Sequence, residues 1–384
     1  MKRIWWILLC CLFLIPKGHA CINYFYSIDK EGHLYPVGYE WKYPFHINFE
    51  EEWNVNRLHK LETKLRKEKS YGLLSDYAVC LLKLGKRQEA LELFLRLYRH
   101  YPADYKIAAN LGTAYELMGQ PDSALKYILR DIALNPQDHE GSEWIHVKVL
   151  QTEIALRANN SYLTTHTVLE LTSGQQRDTA VFRQLLVQLQ ERVPFCPGPN
   201  QLMASLFTDL GNLSATLKSV EYARVYYQIA QEYYGDQSLA LTAKIKNMQK
   251  LINKYAHIEP PDDSTFEGSR TKIGYMRYSE FLLDHSDPHF HPDWTKINTQ
   301  VASLLALVDF TKTAQQIKDS AKVAGHANDE LMLIPEATGK LPGKQDFSKA
   351  DSADSCNMKI VFSLLGIVGV GGMGYWLVRR GRKR

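Results

Sequence analysis

The sequence predicts an all-α protein of antiparallel helix pairs stacked into a solenoid, with an apolar segment at each end of the chain. Three observations carry this. Gly85 and Gly119, Ala90 and Ala124, and Pro102 and Pro136 are each 34 residues apart. Ile4 to Pro16 is an apolar run of 13 residues behind Lys2 and Arg3. Ile360 to Val378 is 19 residues without a charge, followed at once by a basic tail. A fixed period near 34 marks repeated two-helix units, none of which buries its apolar face alone.

Residues 1–20 read as a secretory signal peptide. Lys2 and Arg3 form the basic region, the apolar run is too short to span a bilayer, and Gly18-His19-Ala20 offers a small-x-small cleavage site. An uncleaved amino-terminal anchor is the alternative. Cys21 follows directly, an arrangement that resembles a bacterial lipoprotein site, although Gly18 and His19 stand where Leu and a small residue are usual.

Composition narrows the class of the rest. The 384 residues are 45% hydrophobic and 23% charged, which excludes a wholly disordered or collagen-like chain, and 6 Cys form no disulfide framework. The net charge of +4 hides an asymmetry. The first 20 residues carry +3 and the last six +5, leaving −4 for residues 21–378. A mildly acidic body argues against an electrostatic nucleic-acid binder.

Residues 21–68 are expected to form an aromatic-rich cap on the first repeat. Tyr24, Phe25, Tyr26, Tyr35, Tyr39, Trp41, Tyr43 and Phe45 crowd its first half, and Asn54 to Lys69 reads as a charged helix. Residues 69–257 are expected to be the repeat domain. One unit runs through Tyr77-Ala78, Leu81, Gly85, Ala90, Phe94 and Pro102. The next runs through Leu111-Gly112, Tyr115, Gly119, Ala124, Ile128 and Pro136.

This pattern of small and large residues at fixed offsets resembles the tetratricopeptide repeat family. The second unit departs from it where Asp131 stands for the usual Ala. In such a unit Gly112 and Ala124 let paired helices approach closely, and Tyr115 and Phe94 fill the space between neighbours. Gly85 and Gly119 permit the turn after the first helix, and Pro102 and Pro136 end the second. Further along the signal weakens. Glu140 to Leu156 and Asp178 to Val193 read as helices, and Pro194 and Pro197-Gly198-Pro199 form a break. Leu210-Gly211, Ala223, Tyr227 and Ala230 then match again, and Asp236 to Tyr255 adds an amphipathic helix.

The resemblance implies a concave groove lined by the first helix of each pair. Its positions here are Ser75, Val79, Lys106, Ala109, Asn110, Thr113 and Glu116. Some family members clamp a peptide carboxylate with Lys and Asn in successive repeats. Lys106 and Asn110 are present, but Ser75 and Val79 stand where the clamp needs Lys and Asn, so that activity is not carried over.

Residues 258–335 are expected to be a helical extension, with a short helix over Met276 to Leu283 and a long one over Asn298 to Val323. Residues 336–358 are poor in apolar residues and read as a flexible tether. The apolar stretch Ile360 to Val378, within an expected transmembrane helix over 359–378, spans about 28 Å at ~1.5 Å per residue, close to a bilayer core. Tyr375 and Trp376 sit near its basic end, and Arg379 to Arg384 places that end in the cytoplasm by the positive-inside rule. Removal of the apolar and basic tail after export is the alternative.

His285, His289 and His291 are the sharpest constellation for chemistry. Imidazoles flanked by Asp284, Asp287 and Asp293 are the donor set for a metal, but Pro288 and Pro292 keep the segment off a helix. The segment His139 to His146 lacks the second His of a metalloprotease helix, because Glu143 occupies its place, while Glu143 and His146 share a face. No phosphate-cradling glycine loop and no GxSxG motif are present.

The reading that follows is a non-enzymatic, exported and membrane-anchored scaffold that binds a protein or peptide in its groove, needs no cofactor and binds no nucleic acid. The alternatives are an envelope metal-binding protein or enzyme using the three histidines, or a structural subunit of a secretion or envelope complex.

Overall fold

The computed structural model describes residues 25–37, 45–217, 219–258 and 277–311. The signal segment, Cys21, the tether 336–358, the apolar stretch 360–378 and the basic tail lie outside the described residues. Among the described residues no helix is long and apolar enough to cross a membrane.

The chain opens with a hairpin, β1 (Phe25–Ile28) paired antiparallel to β2 (Leu34–Val37). Asp29 ties its turn by accepting from the backbone N–H of Glu31 and His33 at 2.9 and 2.8 Å. A second two-stranded sheet pairs β3 (Phe45–His46) in parallel with β4 (Leu282–Leu283). These strands correct the expectation of an all-α chain. They are two to four residues long, too short to show an alternating pattern.

Ten helices of at least nine residues follow among the described residues. α1 (Glu51–Glu68) has acidic residues in its first turn and basic ones in its last, as the helix dipole favours. The regular repeats are α2 (Tyr71–Lys83) with α3 (Arg87–His100), and α4 (Tyr105–Leu117) with α5 (Pro121–Leu134). Asp104 caps α4 by accepting from the N–H of Lys106 and Ile107, and Pro121 fills the first position of α5. Gly85 and Gly119 have φ of 80° and 70°, the left-handed conformation that ends the first helix of each pair. α6 (Glu143–Ala158) and α7 (Thr179–Arg192) are separated by an irregular loop. α8 (Gln201–Leu217) pairs with α9 (Val220–Gln228), and α10 (Leu239–Lys254) packs on α9.

Close helix approach is enforced where the repeat pattern demands it. A Cβ on Gly112 would lie 2.6 Å from Ile128 Cδ1, and one on Gly211 2.3 Å from the Tyr227 ring. Ala90, Ala124 and Ala223 are fully buried, and Tyr115 stacks on Tyr127 with ring centroids 5.4 Å apart.

The described part of the carboxyl-terminal extension, residues 277–311, is less helical than expected. Over 277–283 the chain forms only a tight turn, Tyr278–Phe281, before β4, because Leu282 and Leu283 pair with β3. Over 298–323 the described helix is α11 (Val301–Leu305), and residues beyond 311 lie outside the described set. Asp309 N–H donates to the carbonyl of Lys69 at 3.2 Å, which satisfies the end of α1 and draws the extension off a helical path.

Two main cores result, and each of the two segments flanking the helix array contributes to both: α1 joins the first core, and Phe281 and Leu282 of the extension join the second. The first core holds Leu58, Leu65, Leu74, Leu81, Phe94 and Leu111, and the extension adds Ile297, Leu304 and Val308. Tyr77 Oη also donates to the carbonyl of Asn298 at 2.7 Å. The second core holds Phe182, Leu185, Phe207, Leu210, Tyr222 and Tyr226, and the amino-terminal segment adds Ile28 and Phe45. Phe45 meets Phe207 edge to face at 5.0 Å, and Ser27 Oγ donates to Glu221 Oε2 at 2.6 Å. The expected amino-terminal cap is therefore divided. Only α1 covers the first repeat, while Ile28 and Phe45 pack into the second core.

Candidate functional site

The first helices of the two regular pairs bring the expected groove together. Val79 of α2 and Ala109, Asn110, Thr113 and Glu116 of α4 line one cleft of about 160 Å³. Ser75 is buried beside it and accepts from Asn110 Nδ2 at 3.4 Å. Lys106 is exposed and outside the cleft, with its ammonium 5.8 Å from the Tyr105 ring.

The opposite wall comes from later in the chain. His139, Glu143, His146, Gln188, Arg192, Phe195 and Cys196 line the same cleft, so α7 packs across the face that the repeats present. Sequence spacing placed Glu143 and His146 on one face but did not place Arg192 near them. Arg192 follows α4 by more than seventy positions, and only the fold joins them.

Beneath the cleft lies a charged network. Glu116 bridges Arg192 Nη1 at 2.5 Å and His146 Nε2 at 2.7 Å. Glu143 accepts from His146 Nδ1 at 3.1 Å and from His139 Nδ1 at 2.6 Å. Gln188 Nε2 donates to Ser142 Oγ at 3.0 Å and to Glu143 Oε1 at 3.2 Å. The side chains of Glu116, Glu143, His146 and Arg192 are all less than a tenth exposed.

Such burial is tolerable only because the charges pair. Burial pushes the Glu116 carboxyl up, but Arg192 and His146 outweigh it and hold the group at about 2. Burial likewise opposes ionisation of Glu143, and its bonds to His139 and His146 hold it below the usual carboxylate range. The Glu143 hydrogen bond raises His139 to about 9. Burial and Arg192 act against charge on His146, yet Glu116 and Glu143 raise its pKa.

Two carboxyls nearby are pushed the other way. Burial, then repulsion from Glu116, takes Glu153 up to about 7. Asp131 is fully buried, and neither of its oxygens has a hydrogen-bond partner. Burial, reinforced by Asp138 and Glu143, raises it to about 8. This is the position where the repeat pattern calls for Ala. Burial pushes the Cys196 thiol up to about 11, so it is held protonated rather than poised as a nucleophile.

The histidine loop does not gather a metal site. His285 stacks on His46, with Nε2 2.6 Å from His46 Nδ1, and its Nδ1 lies 3.7 Å from Glu50. His285, His289 and His291 share no ligating radius. Among the described residues the three-ligand grouping is Asp29, Glu31 and His33, on the exposed hairpin turn. The histidines diverge because Asp284, Asp287 and Asp293 each turn back to bond backbone N–H groups two residues on.

The remaining positions fall in packing roles. Leu111 is buried in the first core, and Pro102 and Pro136 follow the ends of α3 and α5 on the surface. Cys80 is buried and free, and Cys196 is also free.

The sequence matches no known family profile and no curated protein. Among solved structures, a tetratricopeptide repeat protein from Parabacteroides merdae aligns over 52% of this chain and 98% of its own, at 16% identity and a TM-score of 0.23. That likeness is too slight to argue from. The architecture rests on the chain's own geometry: helical, with tetratricopeptide-like pairs over residues 71–134.

Proposed function

We propose that the chain is a non-catalytic scaffold that holds a protein or peptide partner at the cleft between α4 and α7. The observation that carries this is the joint placement of Val79, Ala109, Asn110, Thr113 and Glu116 around one cleft whose charged floor is paired within the chain. A floor with its charges already satisfied offers shape and hydrogen bonds at the rim rather than a proton-transfer group. The partner is then recognised by a mixed surface, with Val79 and Phe195 as apolar contacts and Asn110 and Thr113 as polar ones.

The scaffold is exported and anchored in this reading. The signal-like residues 1–20, the apolar stretch 360–378 and the basic tail support a body outside the cytoplasm and a single bacterial membrane span.

The test is cross-linking and affinity capture of the full chain from its native membrane, beside a Val79→Arg, Asn110→Ala, Thr113→Ala variant. These positions lie at the rim and leave the buried ion pairs intact. A partner recovered with the unaltered cleft and lost with the variant supports the proposal. Equal recovery from both would remove the cleft from the account. Recovery of one stoichiometric complex with both would favour a structural subunit instead.

A further inference from the structure

A second concavity, of about 360 Å³, opens beside the second core. It is lined by Lys30 from the hairpin turn, Gln176 from the loop before α7, Asn212 and Thr216 of α8, and Lys244 and Asn247 of α10. Four separate segments thus converge on it with amides, a hydroxyl and two ammonium groups.

The cationic side is built rather than incidental. Lys244 Nζ donates to Asn212 Oδ1 at 2.7 Å and sits 5.6 Å from the centre of the Tyr227 ring. Tyr227 Oη donates to the same Asn212 oxygen at 3.0 Å, which fixes the amide. Lys30 is carried in by the hairpin, where Tyr255 Oη reaches its carbonyl at 3.5 Å and the Tyr255 ring fills the space over Gly32. Half-burial and the like charge of Lys30 both act against the charge on Lys244, while Asp209 supports it. Among the described residues no carboxylate lines the pocket. Asp209 lies in α8 and is 5% exposed, and burial pushes it up to about 7, so it offsets the two lysines only in part. A wall with two cations and one compromised carboxylate lacks an anion.

We propose that this pocket binds a small oxyanion of the phosphate or sulfate class carried on a polar body. Lys30 and Lys244 hold the anion, and Gln176, Thr216 and Asn247 bond the body. The concavity of about 360 Å³ is roomier than a bare phosphate needs. The site is independent of the cleft between α4 and α7.

The experiment is calorimetric titration of the full chain in detergent at low salt with glucose 6-phosphate, inorganic phosphate and glucose. Glucose 6-phosphate is expected to bind more tightly than phosphate, and glucose not at all. Lys244→Gln and Lys30→Gln should each weaken glucose 6-phosphate by about tenfold or more, as loss of a charge-assisted bond implies. Lys30 is on an exposed turn, so its variant reports on the site even if Lys244→Gln disturbs packing. Failure of both phosphates to bind, equal binding of glucose, or indifference to both variants would overturn the site. Equal affinity for phosphate and glucose 6-phosphate would overturn the polar body.

Discussion

The two halves of this protein reach compactness by different means. The first, residues 51–134, repeats one packing solution at a period of 34, with leucines filling its core. The second, residues 143–254, has helices of unequal spacing and a core rich in Phe and Tyr. Neither half closes itself. Segments from both sides of the helix array cover each core, and the halves meet at the ion-paired Glu116, His146 and Arg192 and at an apolar contact of Ala124 and Ile128 with Val147 and Leu150. The difference teaches that periodicity specifies how units stack but not how a stack is ended.

The largest expected effect breaks the junction. Arg192→Met leaves Glu116 buried with one fewer partner and should cost about 3–5 kcal/mol, read by chemical denaturation. Glu116→Leu combined with Arg192→Met should recover much of that, because both charges then leave the interior. Additive losses would show that the two side chains are not coupled.

The contacts from outside the repeats come next. Leu304→Ala should destabilise by about 2–5 kcal/mol and Phe45→Ala by about 3–5, although both lie outside the repeats. Hydrogen exchange sharpens the contrast. Leu304→Ala should release protection in α2 and α3, and Phe45→Ala in α8 and α9. The reverse pattern would contradict the packing of Leu304 in the first core and of Phe45 in the second.

The repeat glycines rank below these. Gly211→Ala should cost about 1–3 kcal/mol as an overpacking change, and Gly112→Ala less. The added methyl meets a Tyr227 ring held by Asn212 in the first case and the movable end of Ile128 in the second.

Much of the first half was legible because its signals are local. Gly85, Gly119, Ala90 and Ala124 lie within one period of their counterparts, and five of the seven groove positions met in one cleft. The rest was not legible because the information is long-range. Nothing near Arg192 marks it as a partner of Glu116, and nothing near Phe45 marks it for a place beside Phe207. The strands were missed because pairs such as Phe45–His46 with Leu282–Leu283 are defined only by the partner. Asp131 was flagged as a departure from the repeat, and it proved to be a buried carboxyl without partners.

Acidity separates that carboxyl from the junction. Glu116 ionises at about 2 when folded against 4.5 unperturbed, so its contribution is present above pH 4.5 and is lost as pH falls towards 2. Asp131 runs oppositely. Its pKa rises from 3.8 to about 8, so the folded state loses stability as pH climbs through that window. Asp131→Ala should therefore raise Tm at pH 8 and change it little at pH 3.5, and an equal gain at both would refute the assignment. The smallest expected effect is at the rim, where Asn110→Ala and Thr113→Ala should shift stability by no more than about 0.5 kcal/mol while weakening partner capture.

The central structural claim is that the buried ionic junction of Glu116, His146 and Arg192, added to the apolar contact of Ala124 and Ile128 with Val147 and Leu150, makes two differently built halves a single cooperative unit. Equilibrium unfolding, followed at once by circular dichroism and by tryptophan fluorescence, tests it most directly. The account predicts coincident single transitions for the unaltered chain and separated transitions for Arg192→Met. Coincident transitions in Arg192→Met, at an unchanged midpoint, would contradict it.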